Sequence, residues 1–324
     1  MLLENTLHMI CCLHFQRHNF QGKIMNTLNS TKGVIYSLLA CMLFGLLYYY
    51  YQFLPDLSGS ELYGWRMIFS LFFLMPLLCM GKNRKDFVVL MTRAKTDKKL
   101  LTGMLMTSQL LAVQLWLFMW APLNGYAMEV SAGYFLLPLT LALTGKVVFG
   151  ERFGPFKTLA FLIALAGFVL HAATGDGLSW PVLVVCLGYP VYYSFRRIMR
   201  SNNVAGFIID IMLNLPAAVV VLTFYDLPQQ LSDFKFIALL SGLGLISILA
   251  LLLMILASQN LNLILFGLLN YVEPCLLVIV ALLIGQPPSQ GSYVLYGSVL
   301  MSVILLVAEG GMNIFRNNRM KAAR

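Results

Sequence analysis

The chain has 324 residues, of which 60% are hydrophobic and only 11% are charged. Soluble domains carry about 25% charged residues, so this composition excludes an ordinary water-soluble fold and indicates a membrane protein. The net charge of +9 does not indicate nucleic acid binding. The basic residues lie in short connectors between apolar segments, which is the pattern of cytoplasmic loops.

The first residues differ from the rest of the chain. Residues 1–24 hold three of the four histidines and the pair Cys11-Cys12. They contain no apolar stretch long enough for a signal peptide. We expect residues 1–30 to be a disordered N-terminal extension. For residues 1–24 a second interpretation stays open, in which the start codon is misplaced and translation begins at Met25.

Ten apolar segments follow, and each predicts a transmembrane helix. Most have 17–24 residues, the length that crosses a hydrocarbon core of about 30 Å at 1.5 Å per residue. The sixth is interrupted by Pro181, Gly188 and Pro190. In chain order the predicted segments are 33–54, 62–80, 100–121, 127–149, 156–174, 179–195, 204–225, 236–257, 262–285 and 291–308.

The basic residues set the orientation of this predicted bundle. All but two of the 22 Lys and Arg residues fall on one side of it, the exceptions being Lys235 and Arg66. Positive charge marks cytoplasmic connectors, so we expect both termini to lie in the cytoplasm, including a basic tail over residues 311–324. The predicted location is the inner, or plasma, membrane of a bacterium.

The fourth and ninth segments resemble each other, with Pro138 and Pro274 at equal depth. This predicts two five-helix halves, residues 31–174 and 179–310. Five is an odd number, so the second half enters the membrane from the opposite side. The predicted fold class is an all-α polytopic membrane protein, with ten transmembrane helices as two inverted five-helix repeats. Secondary transporters share this design and place their site near the midplane, where the halves meet.

Glu273 lies near the centre of the ninth segment. A charge at the bilayer centre costs about 2.5–3.5 kcal/mol on insertion scales, which favours a functional role. One interpretation is a substrate or proton site. The other is a protonated carboxyl that is hydrogen-bonded to carbonyl groups loosened by Pro274.

Arg66 and Asp210 occupy matching positions in the two halves. The inverted topology puts them some 15 Å apart in depth, so they are not expected to pair. Asp210 is closer to Lys146, and Arg66 is closer to Glu129. One interpretation is that the two residues are gates on opposite sides of a central pocket. In the other, Asp210 forms a static ion pair, and the Arg66 side chain snorkels to the outer headgroups.

Other candidates are aromatic or amide side chains. Trp116 and Trp120 are four residues apart and share a helical face, which with Gln109 and Gln114 predicts a pocket wall. Buried amides either line a cavity or join helices by hydrogen bonds. The predicted substrate or proton pathway comprises Arg66, Trp116, Trp120, Glu129, Tyr134, Pro138, Tyr192, Asp210, Asn214, Asn270, Glu273 and Pro274.

Enzyme motifs are missing from the sequence. It contains no Walker A motif, no HExxH, no GxSxG and no cluster of His and Cys. The six cysteines form no CxxC pair, so neither a disulfide framework nor a zinc site is expected. We expect a protein that is not an enzyme and needs no cofactor or metal.

Several stretches resemble the drug/metabolite transporter superfamily, in its EamA-like group and RarD-like branch. They are SGSELYGWRMIFSLFF (58–73), WLFMWAPLNGYAMEVSAGYF (116–135), Pro138-Leu139, GERF (150–153) and YVEPCLL (271–277). The resemblance implies ten helices in two inverted repeats. It also implies a central cavity walled by segments 1–4 and 6–9, with segments 5 and 10 outside. The family moves small organic molecules, including metabolites, amino acids and drugs. The chain departs from it where Gln286 stands in the place that Glu151 has in the first repeat.

Together these features predict a secondary active transporter that moves a small organic solute, metabolite or drug by alternating access. Proton coupling through Glu273 is a hypothesis. A passive facilitator or channel, and a membrane scaffold without transport, stay open as alternatives. The expected partners are a small-molecule substrate and the lipid bilayer, and not nucleic acid. The sequence leaves open whether two copies of the chain form a homodimer.

Overall fold

The computed structural model describes residues 27–50, 53–54, 57–124, 126–151, 154–174, 180–226 and 228–283, together with 294, 297–298, 300–302 and 304–305. Residues 1–26, the predicted tail 311–324 and most of the tenth predicted segment lie outside the described residues. Regular secondary structure within the described part is helical throughout.

Eleven α-helices are described. Five stretches among them, in α1, α2, α4, α8 and α9, are long and apolar enough to cross a membrane. The described part is therefore all-helical, and the chain is a multi-pass membrane protein. The helices are α1 (Thr27–Tyr50), α2 (Gly59–Leu78), α3 (Gly81–Thr96), α4 (Lys98–Leu123), α5 (Ala127–Phe149), α6 (Pro155–Thr174), α7 (Trp180–Ile198), α8 (Val204–Leu222), α9 (Phe234–Asn260), α10 (Leu263–Leu269) and α11 (Val272–Leu283).

Each of the first eight predicted segments overlaps one of these helices, but their ends differ. α1 begins at Thr27, inside the predicted extension 1–30. α2 begins at Gly59 rather than at residue 62, because Ser58 and Glu61 form a capping box. The Ser58 side chain accepts from the Glu61 amide at 3.3 Å, and the Glu61 side chain accepts from the Ser58 amide at 2.9 Å.

Helix α3 was not predicted, because its sequence reads as a basic connector. It is held to the bundle by one narrow face. Leu90 and Ala94, four residues apart, are 2% and 5% exposed and pack beside α8. The Arg93 Nη2 donates to the carbonyl of Met199 at 3.2 Å.

Helix α7 is continuous, although the prolines and glycine in its sequence made it the least regular predicted segment. Pro190 has no amide hydrogen, so it cannot donate to the carbonyl of Cys186 one turn earlier. The hydroxyl of Thr140 on α5 donates to that carbonyl instead, at 2.6 Å. A neighbouring helix therefore replaces the hydrogen bond that the proline removes.

The main packing pairs join early helices to late ones. α1 packs on α9, α2 on α8 and α9, α4 on α7 and α8, and α5 on α7 and α10. Small residues allow some of these approaches, as at Gly59. An added Cβ there would lie 2.5 Å from the carbonyl oxygen of Met119 and from the Cα of Trp120.

Candidate functional site: a cavity between the helices

A small internal cavity lies where these helices converge. Its volume is about 30 Å³, which is room for on the order of two water molecules. Its wall is formed by residues of α1, α2, α4, α5, α7, α9 and α11, and by Asn270 in the turn before α11. The lining residues are Phe44, Arg66, Leu115, Phe118, Tyr134, Leu137, Tyr189, Tyr193, Leu251, Met254, Asn270 and Glu273.

Arg66 lines this cavity from α2 and is 0% exposed. Its Nε donates to the hydroxyl of Ser247 on α9, and its guanidinium carbon lies 5.9 Å from the ring centre of Phe118. The snorkelling interpretation of Arg66 is wrong. Because α2 begins at Gly59, Arg66 sits about 10 Å along the helix, deeper than the predicted start implied. The side chain of its predicted neighbour, Glu129, lies outside the described part of the structure.

Glu273 lines the same cavity and is 4% exposed. It lies in the first turn of α11. The amide groups at a helix N-terminus favour a negative charge, so this turn suits a carboxylate. The structure therefore brings a cation and a carboxyl from different halves of the chain to one small polar space.

The ninth predicted segment, 262–285, was predicted as one helix, and this is wrong. It is divided into α10 and α11, with Asn270 and Tyr271 in the turn between them. Pro274 has no amide hydrogen for the Asn270 carbonyl, which instead accepts from the Glu273 amide at 3.2 Å. The proline thus explains the position of the break.

Asn270 lies at that break and is one of the residues that line the cavity. It is 4% exposed, and its Oδ1 accepts no hydrogen bond from any residue that the structure describes. A buried polar atom in this state is normally satisfied by water or a ligand. Asn270 and Glu273 are therefore the groups that a polar guest of the cavity would meet.

Tyrosines form most of the aromatic wall. The hydroxyl oxygens of Tyr134 and Tyr189 lie 3.5 Å apart, and the ring of Tyr193 packs edge-on against Phe266, with centres 4.9 Å apart. Sequence reasoning chose Tyr134 but missed Tyr189 and Tyr193. Their spacing of four residues, which puts them on one face of α7, was the available signal.

Tyr192 and Asp210 lie outside this wall, in a buried network between α4, α7 and α8. Asp210 Oδ2 is 3.1 Å from Arg196 Nη1 and accepts from the Tyr192 hydroxyl at 3.0 Å. Thr107 approaches Oδ1 at 3.4 Å. The sequence placed Lys146 as the nearer cation for Asp210, but the ion-pair partner in the structure is Arg196. Arg196 was read as a connector charge, yet it is 0% exposed.

Asn214 belongs to the same network. Its Oδ1 accepts from the Ser108 hydroxyl at 2.7 Å, and that serine side chain lies 3.1 Å from the carbonyl of Asp210. The residue is 0% exposed and does not line the cavity. Its contacts fit the interhelical role that the sequence left open for it.

The tryptophans that were expected in a pocket form an aromatic stack elsewhere. Trp116 and Trp120 share a face, as predicted, and their rings stack with centres 5.0 Å apart. Trp120 also stacks on Tyr126 at 5.3 Å, and Trp180 lies 6.2 Å from Trp120. Trp116 donates to the hydroxyl of Ser60 at 3.1 Å. The structure places this stack outside the cavity lining.

A second polar junction joins the end of α5 to the later helices. Gly150 ends α5 in the left-handed conformation, with φ of 64°, which glycine adopts without strain. The next residue, Glu151, accepts from Arg197 at 3.1 Å and from the Leu263 amide at 2.7 Å, both on Oε1. Arg197 also donates to the carbonyl of Leu261 at 2.9 Å.

The two prolines that were predicted at equal depth meet different neighbours. Pro138 lies inside α5, and its carbonyl oxygen would be 2.9 Å from a Cβ added to Gly267 on α10. Pro274 lies in the first turn of α11. α5 and α10 are therefore in backbone contact beside the cavity.

The sequence matches the model of the "EamA-like transporter family" over residues 31–172. An uncharacterised transporter of Pasteurella multocida is 38% identical over 88% of this chain and 98% of its own length. The "Chloramphenicol-sensitive protein RarD" of Pseudomonas aeruginosa is 34% identical over 85% of this chain and 93% of its own length. A solved crystal structure aligns over 86% of this chain and 98% of its own, with a TM-score of 0.62 and 14% identity, which shows a shared fold. The chain therefore belongs to the EamA-like transporter family, in its RarD-like branch.

Proposed function

We propose that this protein is a secondary transporter that moves a small organic solute across the bacterial inner membrane by alternating access. The observation that carries the proposal is the cavity between the halves, where Arg66 and Glu273 face one space beside a broken helix. Transporter sites near the midplane are commonly built beside such interrupted helices.

We further propose two inverted repeats, residues 31–174 and 179–310, with both termini in the cytoplasm. The helix packing supports this arrangement. In such repeats, a contact between two segments in one pairing has an equivalent between the segments five places away. The α1–α9 contact (segments 1 and 8) is equivalent to the α7–α4 contact (segments 6 and 3). The α2–α9 contact (segments 2 and 8) is likewise equivalent to the α8–α4 contact (segments 7 and 3), and all four contacts occur. The basic connectors support the cytoplasmic position of the termini.

In this proposal the described conformation is a closed one. The cavity holds about 30 Å³, too little for an organic solute. On the proposed cytoplasmic side, Glu151 ties the end of α5 to Arg197 of α7 and to the start of α10. Opening toward the cytoplasm would separate these groups. On the other side, we propose that the stack of Trp116, Trp120 and Tyr126 is part of the outer closure.

The substrate class is tested first by binding. Purified protein is screened for thermal stabilisation by amino acids, amines and antibiotics, including chloramphenicol, because the name of the Pseudomonas relative contains that drug. A ligand that binds the folded state raises the apparent melting temperature. Liposomes preloaded with the unlabelled hit should then accumulate the radiolabelled compound above its external concentration. Equilibration without accumulation would indicate a channel, and no flux would indicate a scaffold. Counterflow without any gradient-driven accumulation would indicate a passive facilitator.

Proton coupling is tested in the same liposomes with an imposed pH gradient. We expect Glu273→Gln to abolish gradient-driven accumulation while counterflow persists. The amide fills the same space as the carboxyl group, but it cannot bind and release a proton. Asp86→Asn, on the helix α3 outside the cavity, is the control. Unchanged gradient-driven uptake in Glu273→Gln would remove this residue from the coupling role.

A further inference from the structure

Helix α3 connects two membrane-spanning helices, and it lies beside the ends of its neighbours in the bundle. Its buried residues Leu90 and Ala94 belong to a hydrophobic cluster that includes Met104 of α4 and Ile209 of α8. Met104 and Ile209 lie about 9 and 8 Å along the axis from the first residues of their helices. α3 therefore packs against parts of α4 and α8 that are already inside the apolar spans, and it lies close to the membrane surface.

The face of α3 opposite this cluster carries both apolar and basic side chains. At about 100° per residue, Val88 lies about 160° around the helix axis from the buried Leu90. Arg84 and Lys95 lie about 120° and 140° away in one direction. Lys85 lies about 140° away in the other, so Val88 stands between basic side chains, and all four are exposed. An apolar centre flanked by Lys and Arg is typical of helices that lie in the membrane interface.

The positive charge of this face is not balanced within the described part of the chain. Asp86 is the one acidic residue of α3, and it lies toward the buried side of the helix. The Asp97 carboxylate caps α4, where it accepts from two backbone amides at 2.9 and 3.2 Å. Arg84, Lys85 and Lys95 form no ion pair with any residue that the structure describes. The face is therefore complementary to an anionic partner outside the chain.

The apolar side chains on the exposed part of α3 narrow the choice of that partner. Val88 and Val89 are 54% and 55% exposed, and Met80, just before α3, is 58% exposed. A helix in the membrane interface buries such side chains between the headgroups and the first acyl carbons. Nucleic acid would match the charge but would leave the valines in water. The combination of charge and apolar surface favours a lipid bilayer.

We propose that the exposed face of α3 binds anionic phospholipids, at the membrane surface that the proposed topology makes cytoplasmic. Val88 and Val89 enter the interface, while Arg84, Lys85 and Lys95 contact the lipid phosphates. Clusters of basic residues next to a membrane span are attracted to anionic leaflets in this way. The site is separate from the central cavity, since no residue of α3 lines that cavity.

The proposal is tested with the full-length protein carrying the photo-crosslinking residue benzoylphenylalanine in place of Val88. The protein is reconstituted in nanodiscs of phosphatidylcholine with a minor share of phosphatidylglycerol, and captured lipids are identified by mass spectrometry. We expect phosphatidylglycerol to be captured about fivefold above its share, the factor that one basic residue contributes at an anionic surface. The control carries the crosslinker in place of Leu162, which is 53% exposed on α6, and should capture both lipids in proportion to their shares.

Charge variants identify the cause of the enrichment. Arg84→Gln, Lys85→Gln and Lys95→Gln, made together in the protein with the crosslinker on α3, should return phosphatidylglycerol capture to its share. Lys235→Gln, at an exposed lysine outside α3, should leave the enrichment unchanged.

Three outcomes would overturn the proposal. One is capture of no lipid on α3 while the α6 position captures lipid, which would place this face in water. Another is capture of both lipids in proportion to their shares at the two positions. Neither comparison depends on the fold of a charge variant. The third is displacement of the lipid by a short added RNA that is captured instead, which would assign the face to nucleic acid.

Discussion

Arg196 Nη1 lies 3.1 Å from Asp210 Oδ2, and the two side chains are 1% and 0% exposed. They belong to consecutive helices, α7 and α8, and Arg196 also donates to the carbonyl of Asn203 at 3.0 Å in the connector between them. Arg196 therefore holds α7 against α8 and also fixes the short connector between them.

The removal of one partner should be more damaging than the removal of both. We expect Arg196→Met or Asp210→Leu alone to lower the free energy of unfolding by about 3–5 kcal/mol, because each leaves a buried charge unpaired. The double variant should be more stable than either single variant. Denaturant unfolding in detergent, followed by circular dichroism, measures all three, and Lys82→Met at an exposed site is the control. A double variant whose loss equals the sum of the single losses would contradict this account.

A second prediction concerns the hydroxyl that substitutes for the missing amide of Pro190. Thr140→Val keeps the side-chain shape but leaves the buried Cys186 carbonyl without its donor at 2.6 Å. We expect a loss of about 1–3 kcal/mol in unfolding free energy. Thr140→Ser should retain most of the stability.

Pro190→Ala is the control for the Thr140 variants. Alanine restores the amide hydrogen at position 190, which can then donate to the Cys186 carbonyl within α7. In a Pro190→Ala background, the effect of Thr140→Val should shrink to a few tenths of a kcal/mol. An undiminished effect in that background would show that Thr140 acts through other contacts.

Two glycines at equivalent helix positions give a matched packing test. Gly59 and Gly81 are the first residues of α2 and α3. A Cβ at Gly59 would lie 2.5 Å from backbone atoms of α4, whereas a Cβ at Gly81 would meet nothing within 4 Å. We expect Gly59→Ala to cost about 1–3 kcal/mol in unfolding free energy, and Gly81→Ala to stay within about 0.5 kcal/mol of wild type. Similar unfolding curves for the two variants would disprove the close approach of α2 to α4.

At Glu151, two substitutions separate the contribution of the charge from that of the hydrogen bonds. Glu151→Gln keeps an acceptor for the Leu263 amide but loses the charge opposite Arg197, and Glu151→Ala loses both. Since hydrogen bonds to charged groups contribute about 1.5–3 kcal/mol, we expect the alanine variant to lose roughly twice as much thermal stability as the glutamine variant. Equal losses in the two variants would mean that the bond to the Leu263 amide contributes nothing.

The helices themselves were predictable, because long apolar runs leave little choice in a bilayer. α3 was hidden because it is amphipathic in a basic connector, and its buried face consists mainly of Leu90 and Ala94. The division of the ninth segment was also hidden. Pro274 signalled a weakness there, but a proline in a membrane helix can bend the helix as well as break it.

The site was predictable only in part. Glu273, Asn270 and Arg66 were singled out because polar groups in apolar runs are costly, and all three line the cavity, as does the predicted Tyr134. Their mutual placement depends on helix rotation, which the sequence does not give. The same limit explains why Arg196 was missed, since a basic residue near a helix end reads as a connector charge until the packing of α8 is known.

The break between α10 and α11 has a mechanical consequence. α10 rests on α5, with Gly267 against the Pro138 carbonyl, while α11 rests on α1. The two pieces therefore have different main neighbours, and the turn at Asn270 and Tyr271 would be the pivot if α11 moved with α1. A tilt of α11 together with α1 would widen the space in front of Glu273 while α10 stays clamped. The angle at a two-residue joint would then set how large a guest the protein admits.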